Sequence, residues 1–385
     1  MKNKLIISLS FVSILTLILV TGLMKYLLVS VFTFCILFFK NFKINITKQT
    51  GHIIILYLLY ILFEYISLII ENPANEIIFT NILPRHYGCM LILLNLSLLD
   101  NRNFNYVLHL FFIFTALSCL MSILQFFQFD FALDLYRILY PSNISYTEME
   151  FSNIVKNNFS FYGYPGLFEN IVLSAQYSST FLMFSFFYFK NNKLLRLFFF
   201  LIFFTAILSM QVRSGVYSIL VVLTGFTFFF YRKYFIIIIT PLLIYSIIII
   251  KSFIETINLR ILDPTSPIRE IVNENFWSYV SEGNFFGKRE YFANRNYFLK
   301  KQDITTPHHI IKNAYVLAGY PGLLVTLIII IKIIFYRLRK SLSFKDDYIF
   351  KAALFCYLVS AFTHNNSFHF GYPLMFIILL FHEKN

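Results

Sequence analysis

The sequence predicts an all-α membrane protein that crosses the bilayer about twelve times. Of its 385 residues, 58% are hydrophobic and 13% are charged, and the mean hydropathy is +0.70. A water-soluble domain cannot bury that much apolar surface, so most of the chain is expected to lie in a bilayer. Apolar runs of about 20 residues, separated by short basic loops, are typical of transmembrane helices.

Segments of membrane-spanning length define the expected helices in order. They lie near 4–20, 22–39, 51–70, 77–99, 104–126, 171–189, 194–211, 215–231, 234–250, 313–335, 348–363 and 370–382. The first begins like a signal peptide, but it lacks a small-x-small cleavage site, and a second apolar segment follows at once. We therefore expect it to be retained as the first helix.

Short basic loops set the expected orientation. Lysine and arginine concentrate in cytoplasmic loops, and the basic loops here are 40–48, 190–196, 231–233 and 336–345. An even number of predicted helices separates them, so all four can be cytoplasmic, together with both termini. The whole chain, 1–385, is then one membrane-embedded domain whose two long external loops are 127–170 and 251–312.

Motifs that the chain lacks weaken several classes of function. The net charge of +13 lies largely in the short loops and sets topology, so nucleic acid is not an expected partner. No GxxxxGK[ST] loop occurs, which argues against ATP-driven transport. The cysteines lack CxxC and Cys/His spacing, so neither a metal site nor a disulfide framework nor a cofactor is predicted; they are Cys35, Cys89, Cys119 and Cys356.

Arginines and histidines collect near the predicted external ends of the helices. They are Arg85, His86, Arg213, Arg260, Arg269, His308, His309 and His364. Charges at or within a bilayer are expensive and usually functional. Arginine suits phosphate because its planar guanidinium is bidentate and always charged, and histidine can act as a general base near neutral pH. An outward-facing cleft with these groups is predicted to bind a lipid-linked phosphate or diphosphate.

Each of these residues also has a structural interpretation. Arg213 could be an interface residue whose guanidinium reaches water, and Arg85 could pair with a carbonyl of a neighbouring helix. His364 could be a polar turn residue. Most charges in 251–312 are expected to form a solvated surface. The functional interpretation depends on several arginines and histidines sharing one face.

Four stretches, taken in order, resemble the O-antigen polymerase and O-antigen ligase superfamily of membrane glycosyltransferases. They are YGYPGLFENIVLSAQYSSTFLMF (162–184), VRSGVYSIL (212–220), SPIREIVNENFWSYVSEGNFFG (266–287) and PHHIIKNAYVLAGYPGLL (307–324). They are similar to the family's Gly-x-Phe-x-Asn stretch, its Ser-Arg-small helix start, its Arg-then-Trp stretch, and its His-Asn followed by Gly-x-x-Gly. His308 stands eleven residues before Gly319, as in the family, whereas His309 occupies the usual Asn position and Val212 a usual Ser position.

The resemblance implies a GT-C-like hexosyltransferase that is inverting, metal-independent and uses undecaprenyl diphosphate as the glycan carrier. The polymerase moves the growing chain onto the next lipid-linked repeat unit, and the ligase moves it onto a lipopolysaccharide core. Carried over by position, Arg213 and Arg269 would hold the diphosphate, and His308 would act catalytically at the acceptor hydroxyl. Further substrate-binding residues are expected to be Arg260, His309 and Arg85.

The favoured function is polymerisation of repeat units of a surface polysaccharide, O-antigen or capsule, at the periplasmic face of a bacterial inner membrane. Expected partners are the undecaprenyl diphosphate-linked oligosaccharide, membrane lipids, a chain-length regulator and a flippase. The ligase shares the motifs and stays the closest alternative. A flippase or transporter of lipid-linked sugar would carry charge at both membrane faces, and a membrane acyltransferase would place its histidine toward a cytoplasmic acyl donor.

The Gly-x-x-Gly step has an expected structural role. Small residues four positions apart or closer let two membrane helices approach, so Gly319 and Gly322 are expected to bring the tenth helix against a neighbour. That packing would fix the helix entrance that carries His308. The structural alternative is a histidine-rich helix entry that happens to precede a packing step.

Overall fold

The structure, a computed structural model, describes part of the chain: residues 2–19, 24–40, 48–71, 83–140, 164–168, 171–189, 191–210, 212, 215–216, 218–220, 240, 244, 275–283, 285–287, 309–339 and 352–359. Within these ranges the secondary structure is helical and no strand occurs, which confirms the all-α class. Among the described residues, three helices are long and apolar enough to cross a membrane, over Gly51–Ile70, Asn101–Phe126 and Ile310–Lys332. These apolar helices indicate a membrane protein.

The long helices follow the apolar segments of the sequence. Their bounds are α1 Lys2–Leu19, α2 Met24–Phe39, α3 Lys48–Glu71, α4 Leu83–Ser97, α5 Asn101–Phe126, α6 Asp130–Leu139, α7 Ile171–Tyr188, α8 Lys193–Ser209 and α9 Ile310–Arg339. Shorter helical segments lie at 275–281 and 352–359. The predicted span 370–382 lies outside the described residues, and so does 234–250 except for positions 240 and 244.

Two helices begin earlier than hydropathy predicts because polar caps precede the apolar runs. The carboxylate of Asp100 accepts a hydrogen bond from the Asn103 amide at 2.8 Å, which starts α5. The side chain of Asn192 accepts one from the Leu195 amide at 3.1 Å, which starts α8. Such caps satisfy the amides that a helix start leaves without partners.

Helix α2 is apolar on both its packed and its exposed faces. Its buried positions are Tyr26, Val29, Thr33 and Ile36, at spacings of three and four residues. The exposed face of α2 is also apolar, because Phe34 and Phe38 lie on it and are both more than half exposed. An exposed apolar stripe of this kind suits contact with lipid rather than with water.

The chain divides into two compact units. Unit 1 consists of Met1–Phe111, Thr265–Asp347 and Ala361–Asn385, and within it α9 packs on α3, α1 packs on α2, and α4 packs on both α1 and α2. Unit 2 consists of Phe112–Pro264 and Tyr348–Ser360, and within it α7 packs on α8. The second interface is rich in rings, for example the parallel stack of Phe189 on Phe199 at 4.7 Å between centroids.

The expected first long loop, 127–170, contains regular structure. Helix α6 is amphipathic, with Ala132, Leu133 and Tyr136 on its buried face. A buried turn follows at 164–168, where Gly166 has a left-handed φ of 69°. The described parts of this stretch, 127–140 and 164–168, therefore pack within unit 2 rather than being only a solvated connection.

Helix α9 is longer than the predicted span 313–335 and is not continuous. Its backbone leaves the helical conformation at Gly319, where φ is 64° and ψ is −159°. Pro321 comes two residues later, in the first turn of the second half, where the missing amide hydrogen of proline costs no hydrogen bond. The sequence therefore encodes two helices joined by a kink.

Candidate functional site

The start of α9 is the one candidate site stretch of which the structure describes side chains in detail. We call it the α9 entrance and define it by His309, Lys312, Asn313 and Tyr315 of α9 together with the segment 275–287. All of these residues belong to unit 1. The entrance joins the third and fourth stretches that carry the family resemblance.

His309 caps the first turn of α9. Its Nδ1 accepts a hydrogen bond from the Ile311 amide at 3.2 Å, and its own carbonyl accepts one from the Asn313 amide at 2.8 Å. A side-chain acceptor for the amide two residues on is the usual arrangement of an N-cap. Because Nδ1 is the acceptor, neutral His309 carries its proton on Nε2 and can donate a hydrogen bond from there.

The environment of His309 favours the neutral imidazole. Partial burial is the main reason that its pKa lies below the usual value of 6.5, and the nearby charge of Lys312 lowers the pKa further. Both effects disfavour the protonated ring. The cap is therefore intact at neutral pH, and acidification that protonates Nδ1 removes the acceptor.

Lys312 holds a positive charge against two aromatic rings. Its Nζ lies 5.1 Å from the ring centre of Phe276 and 5.3 Å from that of Trp277. An ammonium within about 6 Å of an aromatic face is attracted by the ring quadrupole. Trp277 remains 58% exposed, so the entrance presents a flat apolar surface beside a fixed cation.

A buried aromatic cluster positions that surface. Phe276, Tyr279, Tyr315 and Val316 form a common core, and the Tyr315 ring meets Phe276 and Tyr279 edge-to-face at 6.0 and 5.7 Å. Edge-to-face pairs at these separations are favourable beyond the area that they bury. The cluster ties the short helical segment 275–281 to the first turns of α9.

Asn313 provides a second polar group one turn after His309. Its side chain is 1% exposed, and its Oδ1 has no hydrogen-bond partner among the described residues. A buried acceptor without a partner is costly unless water or another donor reaches it. Residues four apart share one helix face, so His309 and Asn313 lie on the same side of α9.

The kink at Gly319 is fixed by the turn 285–287. The carbonyl of Phe285 accepts a hydrogen bond from the Tyr320 amide at 2.9 Å, which replaces a helical partner that the kink removes. An added Cβ on Gly319 would lie 2.0 Å from that carbonyl oxygen, and one on Gly287 would lie 2.7 Å from the Gly319 amide nitrogen. The two glycines let the two backbones touch.

The Gly-x-x-Gly step thus works differently from the expected helix–helix packing. The group that approaches Gly319 is the backbone of a turn. An added Cβ on Gly322 would lie 3.6 Å from Tyr60 Cε2 of α3, an ordinary contact, but 2.2 Å from Ala318 Cβ within α9 itself. Glycine is therefore required at both positions, at 319 also because of its left-handed φ.

The first resemblance stretch is anchored just as firmly, in unit 2. Gln125 of α5 donates to the Gly166 carbonyl at 3.0 Å and accepts from the Gly166 amide at 2.9 Å. Ser122 donates to the Tyr164 carbonyl at 2.6 Å, and Ser118 accepts from the Leu167 amide at 2.9 Å. Side chains of α5 thereby satisfy the backbone of the turn, as a buried loop requires.

Most of the predicted site residues lie outside the described residues. These are His308, Arg213, Arg260 and Arg269, and for Arg85 only its position in the first turn of α4 is described. Of the predicted catalytic and substrate-binding residues, His309 alone has a described side chain. His86, which was also expected at the external face, is 2% exposed and contacts Tyr57 and Glu64. The roles expected for the others stay predictions.

Sequence reasoning missed several polar groups that the structure emphasises. Lys312 and Asn313 were not singled out, although each lies within a resemblance stretch, and Trp277 was noted only as part of the Arg-then-Trp stretch. Glu64 of α3 was also missed. It is the sole Asp, Glu, Lys or Arg between 51 and 70, and a single acid in an apolar span was the signal that could have found it.

Comparison with known proteins adds no relative. No protein-family model matches the chain, and no curated protein matches it.

Proposed function

We propose that the chain is a membrane glycosyltransferase that polymerises repeat units of a surface polysaccharide. It transfers the growing glycan from undecaprenyl diphosphate to the next lipid-linked repeat unit, with about twelve transmembrane helices in a bacterial inner membrane and the reaction at the periplasmic face. The motif resemblance supplies the reaction class. The observation that supports it most within the described residues is the α9 entrance, because it combines a rigid helix start with polar and aromatic groups.

The reaction is a displacement at the anomeric carbon of the donor sugar. The acceptor hydroxyl forms the new C–O bond while the bond to the diphosphate oxygen breaks, so the configuration inverts. The hydroxyl proton passes to His308, and the electron pair leaves with undecaprenyl diphosphate. A diphosphate already leaves well, and arginine guanidinium groups can stabilise its charge without a metal.

The α9 entrance suits the acceptor side of this reaction. Trp277 offers a flat surface that fits the apolar face of a sugar ring, and Lys312 beside it attracts an anionic headgroup. Nε2–H of His309 provides a hydrogen-bond donor at the start of the helix. The kink at Gly319, which is held by the turn 285–287, fixes the position of α9 relative to the segment that carries Trp277.

Replacing the two arginines tests the proposal on the donor side. In cells that contain Arg213→Ala or Arg269→Ala as the sole copy, we expect long-chain polysaccharide to be lost at equal membrane abundance, because the diphosphate loses its bidentate partner. Arg213→Lys should also be strongly impaired, because lysine keeps the charge but not the planar fork. Arg137→Ala is the matched control, since Arg137 forms an exposed pair with Asp134 within α6. Polymer of normal length in both alanine variants would contradict the proposal.

The same gel separates polymerase from ligase. Loss of a polymerase leaves a single repeat unit on the lipopolysaccharide core, because the ligase still transfers it. Loss of a ligase leaves the core with none. A single-repeat band in the deletion strain therefore supports the polymerase, and a bare core would assign the chain to the ligase instead.

Cysteine labelling tests the proposed orientation. A membrane-impermeant maleimide added to intact cells should label Glu150→Cys and Ser281→Cys, which lie in the two long loops expected outside, and should not label Ser341→Cys. The wild type gives the background, which we expect to be low because three native cysteines are buried and Cys35 is half-buried. Labelling at position 341 in intact cells would reverse the orientation.

A further inference from the structure

A buried ionisable network lies in unit 1, between α3 and α4. The Nδ1 of His86 lies 2.8 Å from the Tyr57 hydroxyl, and its Nε2 lies 3.0 Å from Glu64 Oε2. Glu64 is 1% exposed and His86 is 2% exposed. The rings of Tyr57 and Tyr60 also contact the His86 imidazole.

The spacing along α3 brings the acid and the two tyrosines onto one stripe. Tyr57, Tyr60 and Glu64 are three and four residues apart, which places them on the same helix face. Glu64 lies within the apolar span Gly51–Ile70, whose mean hydropathy of 2.5 makes a carboxylate expensive there. A residue held at such a cost within a bilayer is by default part of a functional site.

One oxygen of Glu64 lacks a partner. Oε2 bonds to His86, whereas Oε1 is buried and has no hydrogen-bond partner among the described residues. A buried carboxylate needs hydrogen bonds at both oxygens or a compensating charge, and otherwise binding of a proton is strongly favoured. Protonation at Oε2 removes the charge, and the C=O oxygen of a neutral acid costs less to leave buried without a partner than a carboxylate oxygen does.

The geometry accommodates the network with and without that proton. In the deprotonated form, the Tyr57 hydroxyl donates to Nδ1, and Nε2–H donates to the Glu64 carboxylate. After uptake of one proton, the carboxylic acid donates to Nε2, and Nδ1–H donates to the Tyr57 oxygen. The same distances of 2.8 and 3.0 Å serve both forms, and the net charge changes from −1 to 0.

Other titratable and charged groups lie on the helices around Tyr57, His86 and Glu64. The Cys89 thiol on α4 interacts with Tyr57, and the charge of Lys25 on α2 acts on Cys89. On α9, which packs on α3, Lys312 faces Phe276 and Trp277, and Tyr315 and Tyr320 face each other. Among the described residues no group of three or more His, Cys, Asp and Glu could hold a metal ion.

We propose that Tyr57, His86 and Glu64 form a proton-binding site inside the membrane part of unit 1, in which one exchangeable proton is shared between Glu64 and His86. The relay runs from Glu64 through the imidazole to the Tyr57 hydroxyl. This site is separate from the proposed transfer reaction, and its test does not depend on polysaccharide. It gives the chain a means of responding to proton concentration from within its apolar interior.

Infrared difference spectroscopy of the full chain in lipid nanodiscs tests the proposal. Spectra recorded between about pH 10 and about pH 5 should show gain of a carboxylic acid C=O band, because a protonated carboxyl group has this band and a carboxylate does not. The band should shift in D₂O. Glu64→Gln, which keeps the shape and removes the titration, should abolish the band. Asp134→Asn, in an exposed ion pair of α6, should leave it unchanged.

Further outcomes keep the test decisive. If Glu64→Gln does not yield folded protein, Glu64→Asp retracts the carboxyl group by one methylene and should move the band without removing it. The absence of any acid band in the wild type across this window would overturn the proposal and leave the network as a fixed polar contact. A band that survives in Glu64→Gln would overturn it as well.

Discussion

Replacing His308 by alanine should abolish long-chain polymer, whereas replacing His309 by asparagine should leave it. General-base assistance is typically worth about 10²- to 10⁴-fold in rate, so loss of the base should reduce polymer to single repeats. His309 is poorly suited to that role in the described geometry, because its Nδ1 lone pair accepts the Ile311 amide and its Nε2 carries the proton. Asparagine is among the best N-caps, so the α9 start should persist in His309→Asn.

Polysaccharide length on a gel, at matched membrane abundance, is the measurement for this pair. His309→Ala is the control for the cap, because it should cost about 1 kcal/mol of helix stability without removing the proposed base. If His309→Asn destroys activity and His308→Ala spares it, the assignment of the base is wrong by one residue. If neither change shortens the polymer, the catalytic role of this stretch fails.

The sequence predicted several of the described helices because their signal is local. Apolar runs predicted 51–70, 104–126 and 171–189, and the described helices α3, α5 and α7 cover them. Boundaries differed where a polar cap such as Asp100 or Asn192 extended a helix beyond its apolar run. Helix α6 was missed because its apolar residues occupy one face only and do not form a long apolar run.

Contacts between side chains that are far apart in the chain could not be predicted from the sequence. Glu64 and His86 are separated by 22 positions, and nothing local indicates that their side chains bond. Gly166 is similarly held by Gln125, which is 41 positions away. The role of His309 as a helix cap was hidden because histidine is not among the preferred N-cap residues. Resemblance placed it at a position where asparagine is usual, which fits a capping requirement.

Replacing Gly319 by alanine should disrupt unit 1 severely. A non-glycine residue with a φ of 64° and a ψ of −159° is strained by about 1–3 kcal/mol on conformation alone. The added Cβ would also meet backbone atoms of Phe285 and Phe286 at 2.0 to 2.5 Å, and backbone cannot rotate aside as a flexible side chain can. The turn 285–287 must therefore move, and the hydrogen bond from the Tyr320 amide to the Phe285 carbonyl is lost.

The chain's single tryptophan makes this effect measurable. Trp277 lies on the segment that leads into the turn, so its fluorescence should report displacement of the turn as well as unfolding. We expect Gly319→Ala to lower the thermal unfolding midpoint in detergent and to change the emission of Trp277 before unfolding. Gly51→Ala is the matched control, because a Cβ at that helical position meets no atom within 4 Å and alanine favours helix. An unchanged midpoint and spectrum in Gly319→Ala would show that the turn does not hold the kink. In that case the geometry of the α9 entrance would depend on the aromatic cluster of Phe276, Tyr279 and Tyr315 and not on the turn.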